Sequence, residues 1–192
     1  MARLVLASSS QQRQNLLRQL GLDFTIYAPN IDESLLENEP IISYVERLAR
    51  EKTQAVLQQY PDAVVLGADT SMAIGHNIIG KPHSKAHAFE IWTALGQAKT
   101  HQVFTGLCVA DKSQILSCVV ETHVEFKKMS TSDMHWYWDT GEPIGKAGAY
   151  AIQGIAGQFI SRIEGSYSNI VGLPLYETMQ LLKQFKGIVN LS

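Results

Sequence analysis

Little in this sequence points to a macromolecular partner. Lysine and arginine number 16 against 18 aspartates and glutamates, a formal charge of −2. That balance gives no general attraction to nucleic acid or an anionic membrane, so any phosphate site must be local. No stretch approaches the roughly 20 apolar residues of a membrane span. The opening Met1-Ala2-Arg3-Leu4-Val5-Leu6-Ala7-Ser8 has too short an apolar run for a signal peptide. There are only two cysteines, Cys108 and Cys118, in strand-like sequence without metal-ligand spacing. Reduced core thiols are expected, with a single hairpin disulfide as the alternative. Internal repeats, low-complexity tracts and flexible linkers are also missing. A soluble cytoplasmic protein with neither nucleic acid nor membrane as partner is expected.

What is present centres on Val64-Val65-Leu66-Gly67-Ala68-Asp69-Thr70. Four apolar or β-branched positions read as a strand buried on both faces, and a carboxylate and a hydroxyl follow at its end. Strand ends are where α/β proteins place their chemistry. Lys81, held between Gly80 and Pro82, follows a predicted hairpin of Ser71–Ile74 and Ile78-Ile79.

Upstream, Leu4-Val5-Leu6-Ala7 reads as a short strand leading into Ser8-Ser9-Ser10 and a helix with Leu16, Leu17 and Leu20 inward, stopped by Gly21. Ser10 is a natural N-cap. Arg13 in the first turn opposes the helix dipole, which makes sense where an anion sits on the free N–H groups; a plain cap with a solvated arginine is the alternative. Phe24 to Ala28 reads as a strand. In the following Asn30-Ile31-Asp32-Glu33, the acidic pair reads on its own as solvated loop.

A second helix starts at Pro40 with Ile41, Tyr44, Val45, Leu48, Ala55 and Val56 on one face. Lys52 falls inside that stripe, where it must reach an anion or snorkel to water. Arg47, Arg50 and Glu51 lie off the stripe and read as solvated surface.

Downstream, Ser84 to Leu95 reads as a helix burying Ala88, Ile91, Trp92 and Leu95. His83 and His87 have a spacing that suits zinc, but no third ligand is near and a surface pair is expected. His101–Ala110 and Gln114–Phe126 form a long hairpin with one wet face. Thr131 or Ser132 caps a helix whose Trp136, Tyr137 and Trp138 serve packing or a subunit contact. Gly145 to Gly154 is rich in small residues that let backbone approach a ligand, with Gln153 offering an amide to a base edge; a glycine-bulged strand is the alternative. Phe159–Ile163 reads as a strand, Gly165 to Asn169 as a loop, and Leu175 to about Phe185 as a last helix packed through Met179 and Leu182. The tail after Lys186 is expected to fray.

Cations clamp phosphates, and a carboxylate holds a divalent metal or deprotonates water. A Walker P-loop, an Asp-x-Asp nucleophile pair, a Gly-x-Ser-x-Gly elbow and a His-Glu-x-x-His motif are all missing. Phosphate-ester or anhydride hydrolysis without a covalent enzyme intermediate is the class that remains.

The chain resembles the Maf family of nucleoside triphosphate pyrophosphatases over nearly its whole length, 1–192 reading as one domain. The resemblance rests on Leu6 to Arg13, Leu48-Ala49-Arg50-Glu51-Lys52, Gly67-Ala68-Asp69-Thr70, Gly80-Lys81-Pro82, Lys146 to Gly154 and Gly172-Leu173-Pro174-Leu175. It implies a mixed α/β fold with a long twisted sheet flanked by helices and two lobes around a cleft, like house-cleaning inosine triphosphate pyrophosphatases. It implies hydrolysis of a nucleoside triphosphate to monophosphate and pyrophosphate with Mg²⁺ or Mn²⁺, by a homodimer.

Asp69 would accept the proton of the attacking water, with Lys52 and Lys81 beside it in catalysis. Ser8, Ser10, Arg13, Lys52 and Lys81 would contact the triphosphate, and Glu33 with Asp69 the metal. Gln12, Thr70 and Gln153 would bear on substrate choice. The Ala147 to Gly154 block is similar to the dTTP- and UTP-hydrolysing branch.

The family usually has Ser-Pro-Arg-Arg where this chain has Ser10-Gln11-Gln12-Arg13, and glycine where it has Ala151. Losing that arginine removes a charge and a fork of donors, which implies weaker triphosphate binding or altered base preference. A nucleotide-sensing or division-regulating protein with vestigial catalysis is the alternative that this departure supports.

Overall fold

The computed structural model describes residues 3–188. Met1, Ala2 and the tail from 189 onward, where fraying is expected, lie outside the described residues. The described residues form two compact units: one from 3–70, 105–120 and 172–188, the other from 71–104 and 121–171.

In the first unit the strand order is β2-β1-β3-β5-β6, formed by β1 (Leu4–Leu6), β2 (Thr25–Ile26) and parts of β3 (Val64–Ile74), β5 (Thr100–Ala110) and β6 (Ile115–Phe126). β1 pairs in parallel with both neighbours, Val5 lying opposite Thr25 and Val65. Parallel strands are buried on both faces, so Leu4–Leu6 and Val64–Leu66 are uniformly apolar. The expected strand from Phe24 to Ala28 contracts to two exposed residues at the end of the order.

Helix α1 (Gln11–Gln19) is capped by Ser10, whose Oγ accepts from Arg13 N, and Gly21 beyond it takes φ +68°. Helix α2 (Ile41–Gln59) buries Val45, Leu48, Ala49, Lys52, Thr53 and Val56. Its stripe was legible, but Pro40 stands as its cap, outside the first turn. α2 lies tight on the sheet because two strand positions lack side chains. A Cβ on Gly67 would stand 2.7 Å from the Ala49 carbonyl oxygen, and one on Gly106 would strike the carbonyl of Val45. Helix α6 (Leu175–Leu182) completes this unit and buries Thr178 and Leu182.

The second unit has the strand order β4-β3-β5-β6-β7, with β4 (Asn77–Ile79) antiparallel to β3 and β7 (Ile160–Glu164) antiparallel to β6. The predicted β3–β4 hairpin forms with Met72 opposite Ile79. Helix α3 (Lys85–Ala98) buries the four residues expected, and its cap is Ser84. Helix α4 (Thr131–Asp139) is capped by Ser130 rather than Thr131 or Ser132, because a full capping box with Asp133 forms one residue earlier. Trp92, Tyr137, Phe126 and Phe159 make the centre of this unit's core, while Trp136 is exposed.

The stretch from Gly145 is not a strand. Gly145, Gly148 and Ala149 all take positive φ, which breaks extended pairing, and two short 3₁₀ turns form at Ala147–Ala149 and Ile155–Phe159. The expected loop at 165–169 ends in a short helix α5 (Tyr167–Val171).

Candidate active site

The serine-rich entry to α1 has a specific occupant. The Arg13 guanidinium donates from Nε to the Gly172 carbonyl at 2.9 Å, from Nη1 to Ser8 Oγ at 3.3 Å and from Nη2 to Thr70 Oγ1 at 3.1 Å. Thr70 Oγ1 lies 2.8 Å from Thr105 Oγ1, and Ser10 N donates to Ser8 Oγ at 3.2 Å. Three of the five guanidinium N–H groups are thereby tied to protein, which fixes the plane in which the remaining donors face. Burial pushes the Arg13 pKa below its ordinary value, against the pull of Asp69 and Glu33, and the group stays charged. The reading of Arg13 as a solvated residue behind a plain cap does not hold.

The close approach of α2 to β3 brings Lys52 to Asp69. Lys52 Nζ lies 2.7 Å from Asp69 Oδ1 and 2.7 Å from Glu33 Oε1, with Lys52 and Asp69 both buried. The inward lysine therefore reaches anions, and those anions are the protein's own carboxylates. Glu33, read alone as solvated loop, is drawn in beside Asp69, which lies inside β3 and not at a strand end as expected, because the strand runs on through Thr70 to Ile74 into its hairpin with β4. Two carboxylate oxygens converge on one cationic nitrogen.

Among the described residues, no group of three or more His, Cys, Asp and Glu side chains is arranged to hold a metal. A magnesium ion is commonly held by one or two carboxylates with phosphate oxygens of the substrate, so Glu33 and Asp69 suit one without a third protein ligand.

Arg47 and Arg50 are not solvated surface. Arg47 forms a two-pronged contact with Glu39, Nε–Oε1 at 2.6 Å and Nη2–Oε2 at 2.8 Å, and Arg50 donates to Ser117 Oγ at 2.8 Å. Tyr44 donates its hydroxyl to the Glu33 carbonyl at 2.9 Å. Burial, followed by Asp69 and Glu33, raises the Tyr44 pKa, which keeps that donor protonated. Thr105, the Gly172 carbonyl, Tyr44 and Arg47 are the partners that sequence reasoning missed as site residues. Only Gly172 carried a signal, as part of a Gly-Leu-Pro block.

Of the residues that depart from the family pattern, Gln11 donates to Asn15 at 2.9 Å, and Gln12 Oε1 lies 3.5 Å from the Ser10 hydroxyl. Both are local to the cap and first turns of α1.

Lys81 and Gln153 belong to the second unit, where both are exposed. The backbone preceding Lys81 is held by Gly148 N donating to the Gly80 carbonyl at 3.0 Å. Ala149, with the φ of +56° that alanine rarely adopts, is kept there by the Trp92 indole N–H bonding its carbonyl at 2.9 Å. Gln153 precedes a segment anchored by Glu142, whose carboxylate accepts from Tyr137 Oη at 2.6 Å, Ile155 N at 2.8 Å and Ala156 N at 3.2 Å.

His83 and His87 stack with ring centroids 4.0 Å apart, a surface pair as expected. Cys108 and Cys118 are free thiols; burial raises both pKa values, that of Cys118 to about 11. No helix among the described residues is long and apolar enough to cross a membrane.

A family model described as Maf-like protein matches residues 3–185. The dTTP/UTP pyrophosphatase of Acinetobacter baylyi is 62% identical over 182 residues, covering 95% of this chain and 99% of its own. That of Pseudoalteromonas translucida is 48% identical over 181 residues, covering 94% and 95%. Among solved structures, the Staphylococcus aureus Ham1 protein superposes with a TM-score of 0.55 at 12% identity, covering 95% of this chain and 98% of its own, a likeness of fold alone. The match runs through both units and includes the arginine at the α1 entry and the Lys52–Asp69 pair, so the chain belongs to the Maf family.

Proposed function

We propose that this protein hydrolyses dTTP and UTP to the nucleoside monophosphate and pyrophosphate by attack of water on the α-phosphorus. The observation that carries this reading is the meeting of Asp69, Glu33 and Lys52 at the middle of β3, with its support in relatives of that activity. Asp69 accepts the proton of the attacking water. Its Oδ1 is fixed by Lys52, so the carboxylate is aimed before substrate arrives. Arg13, locked by Ser8, Thr70 and Gly172, and the first free N–H groups of α1 bind the phosphate chain. Glu33 and Asp69 would hold Mg²⁺ or Mn²⁺, which when bound supplies Lewis-acid charge to the phosphoryl oxygens. Family resemblance adds Ser10 and Lys81 as triphosphate contacts, and Gln12, Thr70 and Gln153 as determinants of base choice. A homodimer in the cytoplasm is part of the same reading.

Nothing in the geometry favours a sensor with vestigial catalysis, since the two departing glutamines engage only the helix and cap they belong to. Pyrophosphate release from dTTP and UTP, with and without Mg²⁺ or Mn²⁺, tests the proposal. Asp69→Asn is expected to keep nucleotide binding and lose about 10²–10⁴-fold in turnover. Release of orthophosphate in place of pyrophosphate, or full turnover by that variant, refutes it.

A further inference from the structure

The segment that carries Glu33 has little hydrophobic hold on the protein, with only Pro29 and Ile31 half-buried among its apolar residues. From Ala28 to Pro40 no residue is buried, and Leu35 and Leu36 are 51% and 55% exposed. Between β2 and α2 the chain has no regular secondary structure apart from turns. Apolar burial, the usual means of fixing a chain segment, therefore contributes little here. Yet the Glu33 carboxylate meets Lys52 at 2.7 Å.

The segment is held by polar ties to α2. Arg47 grips Glu39 with two prongs and also donates from Nη2 to the Ser34 carbonyl at 3.0 Å. Glu39 in turn accepts from Leu36 N at 3.1 Å. Tyr44 holds the Glu33 carbonyl. The Glu39 side chain is only 8% exposed and that of Arg47 22%, so this pair is largely shielded from solvent. Arg47 also reaches Glu51 from Nη1 at 3.3 Å, a contact with a more exposed partner. The carbonyls of two successive residues, 33 and 34, are thus pinned to the helix that bears Lys52.

We infer that Arg47 is a positioning residue for the reaction: through Glu39 and the Ser34 carbonyl it sets the backbone that aims Glu33 at the Lys52–Asp69 pair. Tyr44 assists at the Glu33 carbonyl. The inference rests on the proposal that Glu33 serves turnover. An arginine suits the task because its planar fork meets a carboxylate and a carbonyl at once, which a lysine ammonium cannot do in the same geometry.

A double-mutant cycle with UTP tests it. Glu33→Gln and Arg47→Met are each expected to lower kcat about ten- to a hundredfold, with a smaller change in KM. In the Glu33→Gln background, Arg47→Met is expected to cost less than threefold more, because the group it positions is already disabled. Arg47→Lys is expected to recover part of the loss. Equal fold losses from Arg47→Met in both backgrounds would show that it acts on the fold at large and would overturn the inference.

Full turnover by Glu33→Gln alone removes Glu33 from the reaction, and the inference with it, while leaving the Asp69 reading to its own test. Should Arg47→Met not fold, Glu39→Gln serves in the same cycle, since it weakens the anchor but keeps Arg47. It is expected to show a smaller loss with the same non-additivity, and its additivity would overturn the inference.

Discussion

Replacing Gly67 by alanine places a methyl group against α2 directly beneath the Lys52–Asp69 contact. The new Cβ would lie 2.7 Å from the Ala49 carbonyl oxygen and 3.2 Å from Thr53 N, and would strike the Thr53 hydroxyl. A hydroxyl can rotate away, but a helix carbonyl cannot. Carbon–oxygen contacts settle near 3.3 Å, so α2 must retreat from β3 by about 0.6 Å.

Overpacking of this kind costs about 1–3 kcal/mol, equivalent to lowering Tm by about 2–12 °C in a chain of this size. With a stability of about 5–15 kcal/mol, nearly all molecules remain folded at 25 °C, so the fraction folded does not govern activity there. The retreat moves Lys52, next in sequence to Thr53, away from Asp69. We expect a loss of turnover of about tenfold or more in pyrophosphate release, on a protein whose circular dichroism is unchanged. Adding Thr53→Ala is expected to leave most of the defect, since the Ala49 carbonyl still blocks the methyl. Unchanged Tm and turnover in Gly67→Ala would refute the reasoning, and full rescue by Thr53→Ala would assign the contact to the hydroxyl instead.

Burial lowers the His101 pKa to about 4 in the folded protein, against 6.5 for the free side chain, with its Nε2 bonded to Tyr150 Oη at 2.8 Å. The unfolded chain takes up this proton first. Stability is therefore fully present above about pH 6.5 and falls by about 1.4 kcal/mol per pH unit towards pH 4. Urea titrations at pH 7, 6 and 5 should show this slope in the wild type and a shallower one in His101→Gln; identical slopes would exclude His101 as its source. Gln12→Arg, which restores a cation to the first turn of α1, is expected to lower KM for UTP about three- to tenfold, with steeper salt dependence. It should lower Tm slightly through the helix dipole, and an unchanged KM would mean that position 12 does not meet the triphosphate.

Family membership and most of the local structure could be read from the sequence, because the signals are short-range. A serine before an apolar repeat makes a cap, the apolar run Val64-Val65-Leu66 before Gly67 makes a buried strand, and the period of α2 marks Lys52 as inward. Asp69, Lys52 and Arg13 stood out because each placed a charge where local rules disfavour it.

What the sequence could not show were partners set by closure of the chain on itself. Arg47 and Glu33 look solvated in any local window; their contacts join a loop without periodicity to a helix face. The positive φ values at Gly145, Gly148 and Ala149 exclude the glycine-bulged strand that was one alternative for this block, and at Ala149 the indole of Trp92 helps to hold that conformation. Residue types and spacing determined which groups the site would need. Tertiary structure alone decided that Lys52 is shared between two carboxylates, because only the packing of α2 on two glycines brings that ammonium to Asp69 in the middle of β3.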